Sequence, residues 1–376
     1  MPPDVPAAYP PPRRRKVFAA AHVAAAPGPD GEPGTEVIDW ESTIRFREYL
    51  WAYGFGVAEA MDTSQRGMGL SWPQARELII RSAAARAGAL ACGAGTDQLA
   101  DDQDHALSAI TGAYADQVGF VQSAGAQVIL MASRALAARA RGPRDYLEVY
   151  GELLKQAGHP VILHWLGEAF DPALRGYWGS TDFEAAAGTV LELIERAGGR
   201  VDGIKLSVLD AGRELWLRRR LPAGVRLYTG DDFNYADLIR GDGEGPDGGG
   251  PGAGQYSDAL LGAFAAITAP AAAALAALDR GDVAGYDAAM APTVPLSRLI
   301  FEPPTSRYKV GVAFLAWLNG LQPHFAMLGG LQRLRPPGHL IRVYELAAAA
   351  GALTQPELAA GRMSEMLTRS AENGLG

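Results

Sequence analysis

Eight short apolar runs, each of strand length and bounded by Gly, Pro or Asp, punctuate the first 270 residues of this 376-residue chain. They are Val17–Ala24, Gly56–Asp62, Leu90–Gly95, Gln127–Ser133, Pro160–Trp165, Val201–Val208, Val225–Gly230 and Gly262–Thr268. Between them the apolar residues recur at helical spacing, as in Ile44, Phe46, Leu50 and Trp51 of Glu41–Tyr53. Other helical stretches are Trp72–Ile80 behind an N-capping Ser71, Tyr146–Lys155 and Phe183–Arg196. Strand–helix alternation requires parallel pairing, and eight repeats of it predict a closed α/β structure, the (β/α)8 (TIM) barrel.

Past residue 270 the strand signals stop. Ala271–Leu278, Val283–Phe301, Ser306–Leu318, His339–Ala350 and Gln355–Ser370 read as helices, alanine-rich and broken by Gly and Pro. The expected organisation is a disordered Pro-rich lead (1–16), a barrel (17–270) and a C-terminal helical extension (271–376). The glycine-rich insertion 241–257 has too little apolar content to order itself and falls in a loop on the barrel's C-terminal side, either inert or a lid.

Composition narrows the function. A net charge of −8 argues against a nucleic-acid phosphate binder, and a single cysteine, Cys92, rules out an intrachain disulfide framework and fits a reducing compartment. The apolar run after Lys16, Val17 to Ala26, is short and interrupted by His22, which argues against a secretory signal and a membrane span. A cytoplasmic, membrane-free enzyme or binding protein is expected.

Only four of the 34 basic residues are lysines: Lys16, Lys155, Lys205 and Lys309. Lys155 reads as solvated on an amphipathic helix and Lys309 as a surface or interface residue. Lys205 differs. In Ile204-Lys-Leu-Ser-Val208 the aliphatic residues share one strand face, leaving Gly203, Lys205 and Ser207 on the face that points to the barrel axis. An amine buried there either pairs with an interior carboxylate, or loses its proton and becomes a nucleophile able to condense with a carbonyl.

The order of the motifs around it resembles the dihydrodipicolinate synthase/N-acetylneuraminate lyase superfamily of class I aldolases, over roughly residues 17 to 320. Asp202-Gly-Ile-Lys205 is similar to that group's sixth-strand Gly-Ile-Lys, Pro160-Val-Ile-Leu-His164 to its fifth-strand Pro-Ile-Ile-Leu-Tyr, and Thr229-Gly-Asp-Asp232 to its Ser-Gly-Asp-Asp. Gly93-Ala-Gly95 stands where the third strand carries Gly-Thr-Gly. The resemblance implies a Schiff-base lyase acting through Lys205 on a 2-oxo acid or its aldol, without cofactor or metal, in a homodimer or homotetramer.

Other motifs depart from the group. Asp62-Thr-Ser-Gln-Arg66 replaces Gly-Thr-Thr-Gly-Glu, His164 replaces a proton-relaying tyrosine, Phe170 replaces an arginine, and Met131-Ala-Ser-Arg134 replaces Thr-Pro-Tyr-Tyr. A divergent branch is implied. His164, with an ordinary pKa suited to proton transfer at neutral pH, is then the second catalytic candidate. Thr63, Ser64, Arg66, Arg134, Gly230 and Asp231 are the candidate substrate-binding residues, Thr63 and Ser64 holding the 2-oxo acid carboxylate. Of the adjacent Asp231 and Asp232, one is expected to cap a helix and the other to face substrate or Lys205.

Two rival readings remain open at this level. Glu59, Asp62, Glu168, Asp231 and Asp232 all fall near the same mouth, as a divalent-metal aldolase or hydrolase would require, although no HxH or HxxE spacing accompanies them. A non-catalytic barrel that binds a small acid is the other.

Overall fold

A computed structural model describes residues 9–29, 31–32, 34–100, 103–241 and 256–372. Eight parallel strands close into a barrel: β1 (Val17–Ala20), β2 (Gly56–Glu59), β3 (Leu90–Ala94), β4 (Gln127–Leu130), β5 (Val161–Leu166), β6 (Val201–Ser207), β7 (Arg226–Thr229) and β8 (Asp258–Leu261). Each pairs with its sequence neighbour and β8 pairs with β1, so the sheet has no edge. Helices fill the crossovers, among them α1 (Trp40–Ala52), α2 (Trp72–Ala84), α3 (Leu107–Ser123), α4 (Pro143–Gln156) and α5 (Phe183–Ala197). The expected barrel is observed.

Strand alternation divides the core in two. Inside the barrel lie Phe18, Ala20, Ala58, Ala91, Ile129, Ile162, Tyr228 and Leu260, while Val57, Cys92, Leu163, Ile204 and Leu206 face the helices. The inner layer closes the N-terminal end. There the Lys16 amine reaches Asp202 at 3.1 Å beneath the Phe18 and Tyr228 rings, and the Tyr228 hydroxyl donates to the same carboxylate. A floor sealed in this way leaves the C-terminal mouth as the open end.

Two boundaries differ from expectation. The eighth strand is Asp258–Leu261, not Gly262–Thr268, which turns at Gly262 into helices Ala263–Ala266 and Thr268–Asp279. The strand opens on an acid, which hides it in the sequence: Asp258 is buried because it accepts the Lys16 N–H and pairs with Arg226 at 2.7 Å. The alanine-rich run behind it follows its helix propensity instead. At the other end, residues 9–16 are packed rather than disordered. Tyr9 stacks on Tyr53, the Arg13 and Arg14 N–H groups donate to Asp279, and Arg15 lies over Tyr256 while donating to the Ile239 carbonyl. Of the insertion 241–257, residues 242–255 lie outside the described residues, as do residues 1–8 of the lead.

The C-terminal extension does not sit apart from the barrel. The predicted helix over 283–301 is split at Ala291-Pro292 into Val283–Met290 and Thr293–Ile300, because a proline cannot donate the hydrogen bond that would continue the first. The next helix, α6 (Tyr308–Leu318), is buried along its whole length. A helix apolar on all sides has to be covered on all sides, and its polar first turn is carried inside with it.

A fully buried ion pair ties α1 to the barrel. The Arg47 guanidinium makes two 2.8 Å bonds to the Glu59 carboxylate, which also accepts from the Ser82 hydroxyl and the Ala60 N–H. Removing one member of such a pair strands the other charge. Arg47→Met is expected to lower unfolding stability by ~3–5 kcal/mol in denaturant titration; an unchanged midpoint would show that the pair does not anchor the helix.

Candidate active site

Lys205 points inward from β6, directly beside His164 of β5 in the strand register. It is 8% exposed, and no hydrogen-bond acceptor or carboxylate among the described residues contacts its amine. Burial lowers its pKa, and the carboxylates of Asp62 and Asp232 oppose that shift from nearby. Gly230, at the end of β7, is what lets the lysine lie there. A Cβ at that position would come within 2.9 Å of the Lys205 Cε and 2.2 Å of the Ser207 hydroxyl. Its role is thus to make room for the amine.

His164 is equally buried. Its Nε2 is 3.4 Å from the Ser207 hydroxyl, and its Nδ1 has no hydrogen-bond partner, the Asp62 carboxylate standing 3.9 Å away. Burial, aided by the Lys205 charge, holds its pKa well below 6.5. The ordinary pKa expected for it is therefore corrected: at neutral pH it is an uncharged imidazole.

The adjacent aspartates divide their roles, but not as assigned. Asp231 accepts from the Phe233 and Asn234 N–H groups through Oδ1 and from the Asn234 amide through Oδ2, so its carboxylate shapes the turn after β7. Asp232 is the one that faces Lys205. One of its oxygens accepts the Ala263 N–H at 2.9 Å, no donor among the described residues reaches the other, and burial raises its pKa to about 7.

Two further candidates are turned away from substrate. The Ser64 hydroxyl donates to the Ala21 carbonyl and is fully buried. All five N–H donors of Arg66 are engaged, by Asp97, Gln117 and the carbonyls of Ala60 and Gly93. Both residues look available in the sequence only because their acceptors lie on distant segments. Thr63 does stand at the site, its hydroxyl 2.8 Å from that of Tyr308.

Tyr308 and Lys309 are the residues that sequence reasoning missed. They form the polar first turn of the all-apolar helix α6, which was the available signal. Gly262, with no side chain, leaves space for the rings of Tyr308 and Phe301, which stack at 4.4 Å with Phe170 edge-on to both. The Tyr308 phenol is buried, faces Asp62 and Asp232, and is held protonated far above pH 10. Lys309, expected at the surface, is buried instead. It donates to the Ser306 carbonyl at 3.2 Å, faces Asp62 and Asp171, and has its pKa lowered by burial to about 8.

Beside these residues a cavity of about 270 Å³ opens over the ends of β3, β4 and β5. Asp62, Gly95, Ser133, Arg134, Leu166 and Asp171 are in its wall, with Arg134 bonded to Asp171 at 2.7 Å. Asp62 is common to the cavity and to the surroundings of Lys205. The other acids predicted at this mouth disperse: Glu59 is held by Arg47 on the outer face and Glu168 is exposed beside Arg175. Among the described residues no group of three or more His, Cys, Asp or Glu side chains is placed to hold a metal ion, and no helix is long and apolar enough to cross a membrane.

The buried carboxyl of Asp232 makes stability depend on pH. It keeps its proton up to about pH 7 when folded but only to about pH 4 when unfolded, so folding takes up a proton in that window. On its account stability falls as pH rises from about 4 to 7. Asp232→Asn is expected to lack that slope, so the difference between wild-type and variant unfolding free energies changes as pH rises from about 4 to 7; parallel pH profiles would show that the carboxyl titrates normally.

The solved structures similar to the chain include three dihydrodipicolinate synthases. Dihydrodipicolinate synthase from Bacillus clausii matches at 13% identity with a TM-score of 0.65, over 89% of this chain and 98% of that one. The enzyme from Aquifex aeolicus matches at 13% and 0.64, over 91% and 99%. The Acinetobacter baumannii enzyme, complexed with pyruvate, matches at 15% and 0.63, over 90% and 100%. At such identities the likeness establishes the shared fold, barrel and helical extension together. No curated protein matches. The family model described as "Protein of unknown function (DUF993)" matches residues 2–371, and the chain belongs to that family.

Proposed function

We propose that this protein is a class I carbon–carbon lyase or aldolase, in which Lys205 forms an imine with a carbonyl substrate. The observation that carries this reading is the Lys205 amine itself, buried in the barrel with a lowered pKa and no hydrogen-bond partner among the described residues, at the C-terminal end of the barrel. The shared fold of the dihydrodipicolinate synthases supports it. The 2-oxo acid substrate implied by the sequence resemblance is one member of the carbonyl class this chemistry accepts.

The neutral amine adds to the carbonyl carbon, and the oxygen departs as water once it has gained a proton. Asp232, with a pKa of about 7, can give or take a proton at physiological pH, which is the requirement for a general acid–base group. The Tyr308 phenol, paired with Thr63, stays protonated and donates a hydrogen bond to oxygen that develops negative charge. His164 remains uncharged, so it adds no second cation beside the iminium. The C–C bond β,γ to the imine nitrogen then breaks or forms, with the iminium as electron sink.

Cyanoborohydride with a panel of 2-oxo acids and hydroxyketones is expected to leave a reduced adduct on Lys205, read by intact mass and peptide mapping. Lys205→Arg keeps the charge but cannot condense, so it is expected to lose the adduct and the turnover while keeping its circular dichroism. Turnover retained by that variant would end the proposal. For a base with the pKa of Asp232, the rate of C–C cleavage rises with pH through about 7. Asp232→Asn is expected to flatten that limb and to slow the reaction roughly 10²–10⁴-fold.

A further inference from the structure

Two carboxylates beside Lys205, Asp62 and Asp232, each keep oxygen that receives no hydrogen bond from the described residues. The Asp62 carboxylate accepts no hydrogen bond among the described residues, the uncharged His164 ring standing 3.9 Å away. One oxygen of Asp232 is likewise free of donors. His164 Nδ1 is buried without a partner, and Lys205, more than nine-tenths buried, has none either. An unpartnered amine and an unpartnered ring nitrogen therefore lie beside two acids, one of which, Asp62, also borders the cavity.

Of the groups expected to receive a carboxylate, Thr63 stands at the site with its hydroxyl against that of Tyr308, and the others are engaged elsewhere. Ser64 and all of Arg66 are bonded to protein, and Arg134 is held by Asp171. Lys309 donates to the Ser306 carbonyl at 3.2 Å and faces Asp62, Asp171 and Arg134. Phe170 and Phe301 present apolar rings beside Tyr308. A carboxylate bonded to the imine carbon offers only acceptors and a negative charge. A polyhydroxy compound offers O–H donors and no charge.

We propose that the substrate of Lys205 is an uncharged polyhydroxy ketone or aldehyde, of the sugar type, with Asp62 and Asp232 accepting its hydroxyl protons. This rests on the imine reading above and names its substrate class. Lys205 nitrogen bonds to the carbonyl carbon and the carbonyl oxygen leaves as water. The hydroxyl on the β-carbon gives its proton to Asp232, and its oxygen becomes the carbonyl of the departing aldehyde. The electron pair of the broken C–C bond moves into the iminium, which becomes an enamine. A proton returned to the enamine carbon, and water added to the resulting imine, release the second carbonyl product and the free amine.

The test is competitive cyanoborohydride labelling of the full-length chain with dihydroxyacetone and with pyruvate at equal concentration, quantified on the Lys205 peptide. Dihydroxyacetone is expected to label at least about tenfold faster. Asp62→Asn removes one negative charge from the space and is expected to shrink that preference about tenfold, an internal comparison that cancels the intrinsic reactivity of the two probes. Pyruvate labelling equal to or faster than dihydroxyacetone, or a preference unchanged in Asp62→Asn, would overturn the substrate class and leave the imine chemistry standing. Failure of both probes to label Lys205 would overturn both.

Discussion

Withholding water from a single amine is the constraint around which the upper half of this barrel is arranged. Lys205 gains its lowered pKa from burial, and burial at the axis demands that neighbouring strands yield space. Gly230 yields it on one side, where any Cβ would strike the lysine stem. At the other end of the barrel the only interior lysine contact is of the opposite kind. Lys16 is neutralised by Asp202 and capped by two aromatic rings, a plug that gives rigidity and no reactivity. The same residue type thus closes the floor when paired and opens chemistry at the mouth when unpaired.

The helical extension is part of that mouth. With His164 uncharged and lacking good hydrogen bonds, the strand that carries it offers no strong proton donor. The phenol at the site arrives from α6, lodged against Thr63 in space that Gly262 leaves empty. Because α6 is buried throughout, Tyr308 is fixed by the packing of the whole helix rather than by a loop. The extension and the barrel are accordingly one functional unit: loosening the helix would displace the only phenol facing both Asp62 and Asp232 among the described residues.

Legibility in the sequence followed the range of the interactions involved. The inward face of Lys205 is a consequence of strand alternation over five residues, so it could be read directly. The eighth strand could not, since its first residue, Asp258, is buried only because Lys16 and Arg226, remote in sequence, satisfy it. Arg66 and Ser64 looked free for the same reason: Asp97, Gln117 and Ala21 are brought to them by folding. Asp231 and Asp232 are neighbours of identical chemistry, and only the turn that claims the first frees the second. Tyr308 had a local clue, a polar turn opening an apolar helix, but nothing local says which cavity such a turn enters.

The charges at the mouth fall into two groups with different consequences. Arg66 with Asp97 and Arg134 with Asp171 are contact pairs, each internally neutral. Lys205, Asp62 and Asp232 are not in contact, and their charges act on one another through space. Lys205 and Asp232 each influence the protonation of the other. With the proton on the amine both residues are charged; with it on the carboxyl both are neutral. Burial penalises the charged form of each, raising the acid and lowering the amine. The neutral form it favours is the one that imine formation needs at the outset, an amine with a free electron pair beside an acid able to protonate the departing oxygen. Once the iminium forms, its fixed positive charge favours the ionised Asp232, which is then the base for the bond-breaking step. In the reaction we propose, the same two residues change roles in that order, Lys205 as nucleophile and Asp232 first as acid and then as base.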